Sequence, residues 1–132
     1  MPFLSIACAT ACSQMLGCAW YSPYMFGNVW LKATGKDCKG ISSNCTPFIV
    51  GLTSDLGLAC ALDHALPRID LGSNWRTVAM VAGGFSFIHS MIEAPHYAYE
   101  ERSTSVFGLS ITFNTVRLAV MTFVMLTLDR SD

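Results

Sequence analysis

Four apolar stretches alternate with short polar ones along this chain, and their lengths decide its class. No Asp, Glu, Lys, Arg or His occurs from Met1 to Leu31. A charge-free run of that length exceeds the roughly 20 residues that cross a bilayer. The first predicted helix runs from about Phe3 to Ser22 and stops at Pro23. The second starts near Pro47, with Thr46 as its cap and proline at the favoured first position, and ends before Pro67. The third runs from about Trp75 to Ala94, capped by Ser73 or Asn74, with Pro95 ending or kinking it. The fourth covers about Ser105 to Leu128. The predicted architecture is all-α: a single polytopic membrane domain over residues 1–132, a four-transmembrane-helix bundle with both termini on the same side. Its helices lie at about 3–22, 47–66, 75–94 and 105–128. The long connection from Pro23 to Thr46, the Pro67–Asn74 turn and the Tyr99–Thr104 turn are read as the soluble parts.

In lipid, apolar surface gives little helix–helix attraction, so close backbone approach through small residues must supply it. The first helix offers Ser5, Ala9, Ser13 and Gly17, and the second offers Thr53, Gly57, Ala61 and Ala65. Each residue is four beyond the last, and both ridges are expected to pack the bundle.

Polar residues interrupt the later crossings in register. Ser86, His89 and Glu93 share one face of the third helix, and Ser110, Asn114 and Arg117 share one face of the fourth. Folded as a hairpin, these helices set Glu93 level with Ser110, His89 with Asn114 and Ser86 with Arg117. Asp55 lies about 12 Å below the start of its helix, and Arg117 about 18 Å below the start of a helix running the same way. A guanidinium in mid-bilayer costs at least ~2.5–3.5 kcal/mol, so Arg117 should face inward and be paired. Asp55 is the first choice of partner and Glu93 the second. The intramembrane polar network is therefore expected to comprise Asp55, Ser86, His89, Glu93, Asn114 and Arg117. A buried pair that fixes register is weighed against a polar cavity and against proton transfer through His89 and Glu93.

Composition refines this picture only slightly. The apolar fraction of 52% is near a soluble average, so distribution along the chain carries the assignment. A net charge of −1 without a basic cluster argues against a nucleic-acid partner. Lys32, Lys36, Lys39 and Arg102 on one side face Arg68, Arg76 and Arg130 on the other, a balance that sets no orientation. The first segment has no basic residue before its apolar core and no Arg, so it is read as a retained helix and not as a cleaved leader. His64, His89 and His96 are spaced too widely to share one metal or haem, so neither a metal nor a cofactor is expected, bound lipids aside. Cys8, Cys12, Cys18 and Cys60 are read as small packing residues, and Cys38 and Cys45 as a pair able to form a disulfide under oxidising conditions. No catalytic motif occurs, and no catalytic residue is assigned.

Residues Trp20 to Trp30 read W-Y-S-P-Y-M-F-G-N-V-W. The aromatic residues suit the headgroup zone, Pro23 ends the helix and Gly27 permits a turn. Trp20, Tyr21, Ser22, Pro23, Phe26, Gly27 and Trp30 thus form an interfacial motif. The stretch resembles the signature of a family of small four-helix membrane proteins known as domain of unknown function 1761. In that family the first helix ends in a closely similar W-Y-S-P-x-x-F-G-x-x-W before a short polar loop. The resemblance continues weakly to Asn114, while the cysteine-rich first helix and Arg117 depart from it. It implies the four-helix fold and brings no activity.

Three functions are carried forward. The first is a non-catalytic accessory subunit of a larger membrane complex, with membrane lipids and other membrane subunits as partners. Respiratory or photosynthetic complexes are the hosts considered, the mitochondrial inner membrane first among their locations. The second is a small transporter or channel component that uses the intramembrane polar path. The third is a lipid-binding or lipid-modifying protein, which demands a pocket with convergent polar groups near Tyr21, Tyr24 and Trp30.

Overall fold

A computed structural model describes residues 2–36, 45–69 and 71–129. Its regular elements are α1 (Pro2–Trp20), α2 (Gly27–Thr34), α3 (Thr46–Ala65), α4 (Asn74–Tyr99) and α5 (Thr104–Asp129), with a 3-10 turn at Leu66–Arg68 after α3. Four of the helices, all but α2, are long and apolar enough to cross a membrane. The described residues hold helices and no strand, and the chain is an integral membrane protein.

The helix ends differ from the sequence expectation in informative ways. α1 stops at Trp20, and α2 occupies part of the connection read as soluble. α2 closes on Gly35, whose left-handed φ of 66° turns the chain so that Lys36 N–H reaches the Leu31 carbonyl at 3.3 Å. Cys45, not Thr46, holds the cap position of α3, and it makes no side-chain cap bond. Pro95 neither ends α4 nor stops hydrogen bonding beyond it, because the helix continues to Tyr99 and closes with Glu100 N–H on the His96 carbonyl. A proline removes one backbone donor, and membrane helices accommodate that loss through local adjustment. The turn into α5 carries Glu101 at φ 51°. Ser103 sits just before α5, its Oγ accepting from Ser105 N–H at 3.3 Å.

Packing places α1 and α5 at the centre. α4 lies along α5, α3 along α1, and α2 leans on α5, while α3 touches α5 only lightly. The core joins Ala9, Leu62, Val81, Leu118, Met121 and Met125 from all four long helices. The α1 ridge is part of this contact: Ser5, Ala9 and Ser13 are essentially inaccessible, and the position of a Cβ on Gly17 meets Phe113 at 3.6 Å.

The α3 ridge is a correction. Thr53, Gly57 and Ala61 are exposed and Ala65 only half-buried, while Asp55, Ala59 and Leu62 face the bundle. The buried stripe of α3 is set by the carboxylate that must meet Arg117, and this turns the small ridge outward. Cys18 and Cys60 also face outward and are not packing residues. The Cys38–Cys45 pairing lies outside the described residues, because Cys38 does.

Candidate functional site

Two polar features stand out, one midway along the bundle and one at the end that carries α2. In the first, α5 presents Arg117 and α3 presents Asp55, with Nη2 to Oδ1 at 2.7 Å and side-chain exposures of 15% and 6%. Gln14 of α1 donates from Nε2 to the other carboxylate oxygen, Oδ2, at 2.5 Å. Arg117 also reaches Asn114 Oδ1 and Ser54 Oγ, each at 3.4 Å. The two charges are thus neutralised inside one chain by groups from three helices. Charge-assisted hydrogen bonds of this kind compensate the desolvation that a buried pair incurs.

Of the residues expected in this network, the structure brings Asp55, Asn114 and Arg117 together. Ser86 is buried on α4, where its carbonyl accepts from Ser90 Oγ at 2.7 Å and its own hydroxyl has no partner among the described residues. His89 is half-buried with Nδ1 unpartnered, and Glu93 lines a small cavity at the α4–α5 seam. Neither is linked to Arg117, whose guanidinium is drawn toward α3. Gln14 and Ser54 were not anticipated. Gln14 had a signal, as the single amide in an otherwise charge-free α1.

The W-Y-S-P motif builds the second feature. Trp20 is buried, with its ring 4.6 Å from Phe26 and 5.9 Å from Phe113 of α5. Tyr21 meets Phe113 at 5.3 Å and Trp30 at 5.9 Å, both edge-on. Backbone bonds from Phe26 N–H to the Trp20 carbonyl (3.0 Å) and from Gly27 N–H to the Ser22 carbonyl (2.9 Å) reverse the chain. Ser22 Oγ donates to the Ala19 carbonyl at 2.7 Å, and Pro23 offers its carbonyl to Asn28 Nδ2 at 3.2 Å. The motif is therefore a corner clamped on Phe113, and Trp20 and Phe26 are inside it instead of facing lipid headgroups. Tyr24, 97% exposed, is the residue free to do that. Gly27 serves close approach and not a turn conformation, since a Cβ there would fall 2.3 Å from the Tyr21 carbonyl oxygen. Burial raises the Tyr21 phenol above its ordinary value, and the Arg117 guanidinium offsets part of that rise.

The corner forms one wall of an open cleft of about 580 Å³ facing the α4–α5 turn. Trp30, Thr34 and Lys36 stand on the α2 side, and Glu101, Arg102 and Ser103 on the other, with Tyr21 between. Lys36 Nζ sits 5.3 Å above the Trp30 ring, and Arg102 is ion-paired with Glu100. A smaller cavity of about 40 Å³ shares Arg102, Val106 and Ser110 with the cleft and runs along the α4–α5 seam to Glu93, Tyr97 and Phe107. Among the described residues, no group of His, Cys, Asp and Glu is arranged to hold a metal ion.

A family model described as Protein of unknown function (DUF1761) matches residues 4–126. No curated protein and no solved structure matches the chain.

Proposed function

The chain belongs to the DUF1761 family of proteins of unknown function, and from that premise we propose that it is a non-catalytic accessory subunit of a larger membrane assembly. The outward ridge of α3 carries this reading. Thr53, Gly57 and Ala61 point away from the helices that α3 packs on, and a Cβ on Gly57 would meet nothing within 4 Å. Contact with lipid tails does not call for a small-residue groove, whereas close approach of another membrane helix does. α3 is also bound to its own chain mainly through α1, which leaves this side open to a neighbour. The Asp55–Arg117 pair fits a structural role, because its hydrogen-bonding partners come from within the chain. The partner is a membrane helix of another subunit, with lipid filling the remaining perimeter. A respiratory assembly of the mitochondrial inner membrane is the host to test first.

The test is purification of the tagged native protein in mild detergent, followed by native electrophoresis and mass spectrometry, with Gly57→Leu beside it. Stoichiometric co-migration with a large complex, lost in Gly57→Leu while the variant keeps its melting temperature, supports the proposal. Migration of the native protein alone or as a small homo-oligomer overturns it.

A further inference from the structure

The cleft between α2 and the α4–α5 turn lies where the membrane-spanning helices end, and its volume falls within the ~300–1,000 Å³ of small-molecule sites. Its walls carry both signs of charge. Lys36 and Arg102 supply cations, the second already paired with Glu100, Glu101 supplies a carboxylate, and Thr34, Ser103 and Ser110 supply hydroxyls. An anion alone would leave Glu101 opposed, and a cation alone would leave Lys36 opposed. A ligand carrying both charges, a phosphate and an amine, satisfies the whole lining.

The aromatic lining narrows the amine. A quaternary ammonium calls for open ring faces, but Lys36 already covers the Trp30 ring. A primary ammonium instead offers three hydrogen-bond donors, which suit a carboxylate with neighbouring hydroxyls. The backbone fixes where Glu101 stands. Its φ of 51° lies in the left-handed region that glycine adopts without strain and other residues rarely enter. That conformation ends α4, with Arg102 N–H reaching the Tyr97 carbonyl at 3.2 Å, and it carries the Glu101 carboxylate on the rim of the cleft. The cleft is open and lies where the membrane-spanning helices end, so an attached apolar chain is left to the surrounding lipid.

We propose that this cleft binds the headgroup of a zwitterionic phospholipid with a primary amine, of the phosphoethanolamine class. Lys36 and Arg102 hold the phosphate, Glu101 holds the ammonium, and the acyl chains stay in the surrounding bilayer. The site is independent of the α3 ridge, so it stands or falls separately from the subunit reading.

The experiment is native mass spectrometry of the full-length, delipidated protein titrated with phosphatidylethanolamine, phosphatidylcholine, phosphatidylglycerol and free phosphoethanolamine. Phosphatidylethanolamine should bind about tenfold more tightly than each of the others, one well-made charged contact being of that order. Lys36→Ala with Arg102→Ala should weaken it by about tenfold or more. Glu101→Gly should keep or raise the melting temperature, since the left-handed φ suits glycine, and should erase the preference over phosphatidylglycerol. Equal binding of phosphatidylglycerol to the native protein, or unchanged binding in these variants, overturns the site. Free phosphoethanolamine binding as tightly as the lipid overturns the lipid as its source, and equal binding of phosphatidylcholine overturns the primary amine.

Discussion

Removing Asp55 should cost the protein far more than removing Arg117, although the two are partners. The pair is 2.7 Å apart with both side chains largely withdrawn from solvent. At an effective dielectric near 20, that separation corresponds to roughly 6 kcal/mol of direct attraction, much of it offset by desolvation. Asp55→Leu strands a guanidinium that cannot shed its proton, with only Asn114 and Ser54 at 3.4 Å to solvate it. The expected loss is about 3–5 kcal/mol. Arg117→Leu leaves a carboxylate that keeps its charge-assisted bond from the Gln14 amide, so the loss should be about 1–3 kcal/mol. The double variant removes both charges and should lie within about 1–2 kcal/mol of the native protein. Reversible unfolding in mixed micelles with increasing denaturing detergent, followed by circular dichroism, gives all three values and the coupling between the sites. Additive single losses, or a larger loss for Arg117→Leu than for Asp55→Leu, would refute the reasoning.

Gly27→Ala should destabilise the corner by about 1–3 kcal/mol, because the added methyl meets the Tyr21 and Ser22 carbonyl oxygens within 2.7 Å; thermal melting in detergent reads it. Gln14→Leu should cost about 1.5–3 kcal/mol, the worth of a hydrogen bond to a charged group, in the same unfolding assay. The Tyr21 phenol, raised above its ordinary 10.0 by burial, should form phenolate later than an exposed tyrosine when absorbance is followed against pH. Its folded state holds the proton more tightly than the unfolded one. This contribution to stability is therefore full below pH 10.0 and lost as pH rises through the folded value, and Tyr21→Phe should abolish that dependence.

The four crossings were legible because each is a long apolar run bounded by proline or by charge, and a bilayer allows few alternatives to a helix. The depth argument placed Asp55 and Arg117 within reach of each other, since counting residues along two helices of the same direction needs no packing detail. The orientation of α3 was less legible. Its small residues and its mid-helix carboxylate, Asp55, propose different inward faces, and periodicity gives no weight to a charge that needs a partner two helices away. The W-Y-S-P stretch misled for a related reason. Aromatic residues at a helix end suit a headgroup belt and an internal clamp equally well, and Phe113, which decides between them, is remote in sequence. The cleft was unreadable in its walls, since it arises where α2 folds back beside a turn some 65 residues further along, a distance that short-range patterns do not span.

The Asp55–Arg117 contact between α3 and α5 has a consequence for biosynthesis. Ser54, beside Asp55, and Arg117 are separated by 63 positions. At ribosomal rates of ~5–20 residues per second, Asp55 enters the membrane about 3–13 seconds before its counter-ion. During that interval Gln14 is the polar contact available to it from a helix already made. The newborn chain thus displays a carboxylate without its counter-ion in the bilayer until α5 arrives. Slowing synthesis between α3 and α5 would lengthen that display, and the yield of protein would then depend on translation speed as well as on sequence.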